Sequence, residues 1–202
     1  MYITYKHSAK MKGMTSINTS TKMNDFCKRM AKTNTICKKC YARGLESFRG
    51  DKELGYCKSW YENGIELSSG ELKRIPKFYK AVAIRLHAFG ELINRMHLDN
   101  FKRIAEKNPH IIFTLWTKRK NLVRGFIKPS NMILIFSEYK VNKVRTAAPE
   151  NFDKIFVVFN KKFAKENNIE INCEQSCLSC MKCYSHNNIQ VINELMKKEK
   201  SA

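Results

Sequence analysis

Long hydrophobic runs are missing from this chain. No stretch approaches the 18 apolar residues that a bilayer crossing needs, which excludes a membrane-spanning helix and predicts a protein without a membrane partner. The N-terminus also lacks the charged-then-apolar pattern of a secretory signal, so a cytoplasmic, reducing compartment is expected. Acidic residues are scarce, 18 against 38 Lys and Arg, and the formal net charge is +20. No internal repeat is found, and low complexity is confined to the lysine-rich tail Lys197–Lys200. Nor is there a helix-turn-helix, a zinc finger or another sequence-specific nucleic-acid module.

What is present supports a globular protein. The 202 residues suffice for one ordinary α/β domain, and an apolar share of 43% supplies a core and argues against wholesale disorder. The basic excess predicts attraction to polyanions, nucleic acid first and anionic membrane surfaces second. Most of the positive residues are lysines in a chain also rich in Asn and Ile, so genomic composition accounts for the same bias. Charge therefore speaks to non-specific association, DNA or RNA alike, and leaves the oligomeric state open.

Periodicity predicts a short strand at Tyr2–Tyr5, then loop to Asn24, and helices over Asp25–Lys32 and Tyr41–Glu62. Glu71–Phe78 reads as a short connection or helix. Four apolar runs read as strands: Ala81–Ala88, Ile111–Thr117, Met132–Phe136 and Lys154–Phe159. Helical patterns over Asp99–Lys107 and Lys120–Ile127 lie between them, Lys140–Glu150 is too polar to assign, and Asn188–Lys198 predicts an amphipathic helix. Short apolar strands with connections of this length predict an α/β fold, a parallel sheet of βα units. Four or five strands make an open sheet or a partial, incomplete TIM-like barrel, since the chain is short for eight units. The chain is read as a single domain: an N-terminal segment (1–70), a βα core (71–165) and a C-terminal cysteine cluster with its helix (166–202).

The 8 cysteines fall in two groups. A short secreted chain would use them as disulfides; in a reducing compartment clustered thiols bind metal or do redox chemistry. Cys173-x3-Cys177-x2-Cys180-x2-Cys183 puts four thiols within eleven residues. Such steps let consecutive turns aim sulfur at one centre, as [4Fe–4S] clusters and structural zinc both require. Zinc sites more often use two separated knuckles, so the tight run favours the cluster and keeps zinc as the alternative. In the first group, Cys27-x9-Cys37-x2-Cys40 supplies three ligands and leaves one iron open, one cluster or two in all. Cys57 is out of step; if it ligates, the site is closed and nothing reacts there.

Successive parallel strands end on one side, so strand-end polar groups gather at one rim. His87, Glu91, Thr117, Lys118 and Ser137 are expected there. His87 equally suits a structural role on a backbone carbonyl, and Glu91 a helix cap. Basic groups at Lys118, Arg119, Lys120 and Arg124, and at Lys143 and Arg145, are candidates for phosphate contacts, with aromatics such as Trp116 interleaved. Trp116, inside a strand, is better read as core.

Several stretches carry a resemblance to a phage and mobile-element family, gene product 88. They are Thr15–Ser20, Phe26-Cys27, Ile36–Ala42, Ile84–Glu91, Phe113–Lys118 and Cys177-x2-Cys180-x2-Cys183-Tyr184. The layout is similar, more distantly, to radical S-adenosylmethionine enzymes, which hold a three-cysteine cluster in a loop after an early barrel strand. Phe89-Gly90-Glu91 matches in part their Gly-Gly-Glu motif, without its first glycine, and Lys39 stands where they usually carry an aromatic. That resemblance implies a cluster on Cys27, Cys37 and Cys40, with S-adenosylmethionine seated at Gly90 and Glu91; His87 is the strand-end candidate beside them, and the basic face makes nucleic acid the expected substrate. The other class of function is a non-catalytic iron–sulfur or zinc module that binds nucleic acid or senses redox state.

Overall fold

The computed structural model describes residues 2–4, 7, 9–48, 70–72, 75–79 and 81–196. Seven strands form one sheet in strictly sequential order: β1 (Tyr2–Thr4), β2 (Thr15–Asn18), β3 (Ala83–Leu86), β4 (Ile112–Thr117), β5 (Met132–Ser137), β6 (Lys154–Phe159) and β7 (Val191–Leu195). β1 pairs antiparallel with β2, and every later neighbour is parallel. The fold is α/β, mostly parallel, as the spacing of apolar runs implied.

One face of the sheet is apolar. Ile17, Ile84, Leu86, Phe113, Leu115, Met132 and Leu134 alternate toward helix α3 (Arg95–Lys107). That helix begins where Asn94 accepts a hydrogen bond from the His97 amide, and it buries Leu98, Phe101, Ile104 and Ala105. Each large side chain so buried contributes about 1.5–3 kcal/mol. Farther along, Ile155, Val157 and Phe159 pack on α5 (Lys161–Glu166). The shorter helices are α1 (Asp25–Met30), α2 (Tyr41–Phe48), α4 (Lys120–Val123) and α6 (Cys177–Cys180).

The opposite face mixes Ser16, Asn18, Arg85, Thr114 and Glu194 with Ala83, Trp116, Ile133, Ile135, Phe156 and Ile192. The turn Ala9–Met11 and the C-terminal cysteine segment cover it.

Four expectations are corrected. Val191–Leu195 is a strand, not part of a helix over Asn188–Lys198. Val191 and Leu195 pack on one face and Ile192 on the other, so pairing with β6 overrides a helical-looking pattern. β2, expected as loop, is a strand whose only large apolar side chain is Ile17; Ser16 and Asn18 are buried through hydrogen bonds instead. The sheet therefore has seven strands rather than four or five. Helix α4 stops at Val123 rather than Ile127, where Gly125 takes a positive φ of 65°. Cys57, Tyr5, the end of the helix expected to Glu62, and the tail Lys197–Lys200 lie outside the described residues. No described helix is long and apolar enough to cross a membrane.

The turn after β3 is the tightest point. Gly90 has φ +83°, and a Cβ there would meet Thr19 Oγ1 at 2.1 Å and the Thr19 carbonyl oxygen at 2.4 Å. Gly90→Ala should therefore lower stability by about 2–4 kcal/mol, through strain and a forced backbone shift. Gly44→Ala, in α2 with nothing within 4 Å of the new Cβ, should stabilise by up to ~1 kcal/mol. Paired thermal melts of the two variants check the contrast.

Candidate metal and rim sites

The first cysteine group sits at the carboxyl ends of the strands. Asn24 fastens it: its Oδ1 accepts from the Phe26 and Cys27 amides, and its Nδ2 donates to the Glu91 carbonyl at 2.8 Å. Cys37 lies in the 3₁₀ turn Ile36–Lys39, whose first amide donates to the Tyr139 carbonyl beyond β5 at 2.9 Å. Cys40 follows, and the Tyr41 hydroxyl donates to the Ala88 carbonyl at 2.7 Å. Cys27, Cys37 and Cys40 are thereby within electrostatic reach of one another, and Cys27 and Cys37 also of Glu91 and Lys118. Burial pushes the thiols of Cys27 and Cys37 up, and the Lys118 ammonium opposes it.

Glu91 is 4% exposed. Its Oε1 accepts from the Leu92 amide at 2.8 Å and the Thr117 hydroxyl at 2.5 Å, and its Oε2 from the Lys118 amide at 2.8 Å. The Lys118 ammonium in turn donates to Ser137 Oγ at 2.9 Å. The structure thus links Glu91, Thr117, Lys118 and Ser137 at the rim. His87 is placed differently: it is 3% exposed, has φ +67°, and its ring lies 5.1 Å from those of His97 and Phe101, on the α3 side.

The second group lies on the mixed face of the sheet. Cys173 is tied to β7 through its amide on the Asn193 carbonyl, flanked by Asn172 and Gln175 bonded to the same strand. Gln175 and Met181 adopt left-handed φ values of 58° and 48°, which reverse the chain between the cysteine steps. Cys173, Cys177, Cys180 and Cys183 consequently all line one small, partly open hollow, together with Lys10, Trp116, Lys182 and Tyr184. Burial raises the Cys183 thiol to about 12 and Cys177 as well, with Lys10 and Arg85 pulling both down.

All seven described cysteines are unbridged. Among the described residues no three His, Cys, Asp or Glu side chains stand close enough to ligate a single ion. Thiols are nevertheless the donor type that metal–thiolate centres use. Four thiols face one hollow with cations beside them, and the Trp116 indole N–H there lacks an acceptor.

The basic candidates divide. Lys120, Arg124 and Lys143 are exposed. Arg119 is drawn inward, its Nη1 on the Leu92 and Ile93 carbonyls, and Arg145 clasps the buried Glu138 through Nε and Nη2 at 2.9 and 2.6 Å. Arg85, Lys10 and Tyr184 were not anticipated at the second group. An arginine inside the apolar run Ala81–Ala88 was the available signal.

The paired imidazoles make a testable statement about acid. Burial holds His87 down at about 3 and His97 well below its usual value; Arg85, Lys118 and His97 face His87. Folded His87 then binds fewer protons than the unfolded chain between pH 6.5 and about 3, so its share of stability is present at neutrality and lost on acidification. Chemical denaturation at pH 7 and pH 5 should show His87→Asn losing about 2 kcal/mol less over that interval than the parent. Asn is chosen because it tolerates the left-handed backbone. Equal losses in both proteins would rule the assignment out.

Comparison with curated proteins and with solved structures finds no match. The sequence model of one family, described as gene product 88, matches residues 3–202, which takes in both cysteine groups, the Gly90 turn and every strand after β1. On that match the chain belongs to the gene product 88 family.

Proposed function

We propose that this is an iron–sulfur protein with a closed [4Fe–4S] cluster on Cys173, Cys177, Cys180 and Cys183. We further propose an open cluster on Cys27, Cys37 and Cys40, as in radical S-adenosylmethionine enzymes, acting on nucleic acid. What supports this reading is that Cys27, Cys37 and Cys40 lie within electrostatic reach of one another at the strand ends, Cys27 and Cys37 also of Glu91 and Lys118, where parallel sheets assemble sites. Four thiols spread around a hollow suit a cluster several ångströms across better than one zinc ion, whose ligands crowd a point. We also read the sheet as a partial barrel, because sequential parallel order and helices α3 and α5 on one face are what βα barrels share.

When bound, cluster and S-adenosylmethionine together supply one-electron reductive chemistry. The chain's own residues hold and shield them. The Lys118 ammonium offsets thiolate charge. Glu91 Oε2 has one backbone donor and so keeps a lone pair for an incoming ammonium group, while Oε1 already accepts two bonds. Gly90 brings that carboxylate close by letting the turn press on Thr19.

Anaerobic reconstitution with iron and sulfide, followed by EPR with and without S-adenosylmethionine, tests the reading. The reduced spectrum should change on addition. Cys40→Ser should abolish the responsive signal, Cys180→Ser should remove the other and lower the melting temperature, and Cys57→Ser should leave both. Glu91→Gln should weaken S-adenosylmethionine binding roughly tenfold. A spectrum indifferent to S-adenosylmethionine sinks the enzyme reading, and loss of the first cluster in Cys57→Ser makes that site closed. Either outcome favours a non-catalytic binding or redox-sensing module, a reading supported by the three donors already on Glu91. Zinc in place of iron would make the protein a zinc-stabilised structure.

The nucleic-acid part has a separate test. Affinity for DNA or RNA should fall steeply between 50 and 200 mM salt with little sequence preference. Removing the exposed charges of Lys120, Arg124 and Lys143 should flatten that slope by roughly one unit each. Binding that is undetectable or indifferent to salt would leave the +20 charge as composition alone.

A further inference from the structure

Beside the C-terminal cysteines lie a buried donor without an acceptor, Trp116, and a guanidinium without a carboxylate partner, Arg85, which stacks on the Trp116 ring and donates to Met11 Sδ and the His87 carbonyl. Trp116 is 6% exposed and lines the hollow, yet its Nε1 has no hydrogen-bond partner. An indole N–H can only donate, and buried donors are almost always satisfied. Two residues back on β4, the fully buried Thr114 hydroxyl is also without a partner.

Arg85 is the second group. Its guanidinium lies 4.0 Å above the Trp116 ring, and its Nε donates to the His87 carbonyl at 3.3 Å. Among the described residues no carboxylate pairs with it. The neighbouring cations differ: Lys10 pairs with Glu194 and Lys182 with Glu174. Arg85 is within electrostatic reach of Tyr184, Tyr41, Cys177 and Cys183, and also of Lys10 and His87. A cation without a carboxylate partner thus stacks on a ring whose donor lacks an acceptor, and that ring lines the hollow of the four cysteines. An anion with acceptor sulfurs satisfies both, and four thiolates on a [4Fe–4S]²⁺ core form such a dianion.

We propose that Arg85 and Trp116 are the counter-charge and the N–H···S donor of the cluster held by Cys173, Cys177, Cys180 and Cys183, and that together they raise its reduction potential. The proposal rests on the iron–sulfur reading of that hollow. Reduction adds one electron to a centre already negative. A nearby guanidinium and a hydrogen bond to sulfur both favour the more negative state, so removing either makes the cluster harder to reduce. Both are positioning residues, since the cysteines alone ligate.

EPR-monitored redox titration of the reconstituted full-length chain tests this, with iron and sulfide counted in each sample. Trp116→Phe keeps the stacked ring and deletes only the N–H. Arg85→Gln removes the charge, and Arg85→Lys restores it. With iron content preserved, Trp116→Phe and Arg85→Gln should each lower the reduced-to-oxidised ratio at fixed potential roughly tenfold, about 59 mV for one electron. Arg85→Lys should recover most of the loss. Proton ENDOR of the reduced cluster should show an exchangeable coupling that disappears in Trp116→Phe, a change that loosened packing alone does not produce. Unshifted potentials in both variants with full iron content, or a coupling that survives Trp116→Phe, overturn the proposal while leaving the four-cysteine cluster standing. A parent protein that binds only zinc, or no metal, overturns the cluster reading and this proposal with it.

Discussion

The Glu91 carboxylate and the turn that carries it hold together the functional end of the molecule. Glu91 accepts hydrogen bonds from its own turn at Leu92 and from the end of β4 at Thr117 and Lys118. Its backbone is bound by Thr19 and by Asn24, the residue that caps α1 beneath Cys27. These contacts need the chain after β2 to press on the chain after β3, and that approach leaves no room for a Cβ at Gly90. A buried carboxylate is costly unless its oxygens are satisfied, so the same bonds that hold Glu91 in place register the first cysteine group over the strand ends.

The two faces of the sheet have divided the work. The face under α3 and α5 is apolar and supplies most of the stabilising burial. The other face carries Ser16, Asn18, Arg85, Thr114 and Trp116, polar groups that a purely structural core would avoid. Asn18 illustrates how some are satisfied: its carbonyl accepts from the Ala88 and Phe89 amides while its amide group donates to Ser16 and Thr4. Trp116 instead lines the hollow of the C-terminal cysteines, and Arg85 stacks on its ring. Both thiol groups therefore meet cationic residues, Lys118 at the rim and Arg85 with Lys10 on the face.

Much of the framework was legible in the residues. Ile112–Thr117, Met132–Ser137 and Lys154–Phe159 are short apolar runs buried on both faces, and they were read nearly to the residue. β2 was not legible, because Thr15–Asn18 is buried mostly by hydrogen bonding and shows one large apolar side chain. β7 was misread because Val191, Ile192 and Leu195 satisfy a helical stripe as well as a strand pattern, and only the open edge of β6 decides between them. Arg145 reads from sequence as a phosphate contact. Its two hydrogen bonds to Glu138 Oε2, seven residues earlier, depend on how the loop after β5 folds back.

By itself the sequence determined the parallel α/β class, the two cysteine groups and the basic surplus, since each follows from local spacing or a simple count. Only the tertiary structure decided that Glu91 joins Thr117 and Lys118 rather than merely capping a helix, and that His87 turns away from the rim to lie against His97 and Phe101. It also decided that four C-terminal thiols share a hollow with Trp116, on whose ring Arg85 stacks. The physical reason is range. Periodicity and motif spacing report contacts within a few turns of chain, whereas a buried charge or an unpartnered donor is defined by groups that approach from distant strands.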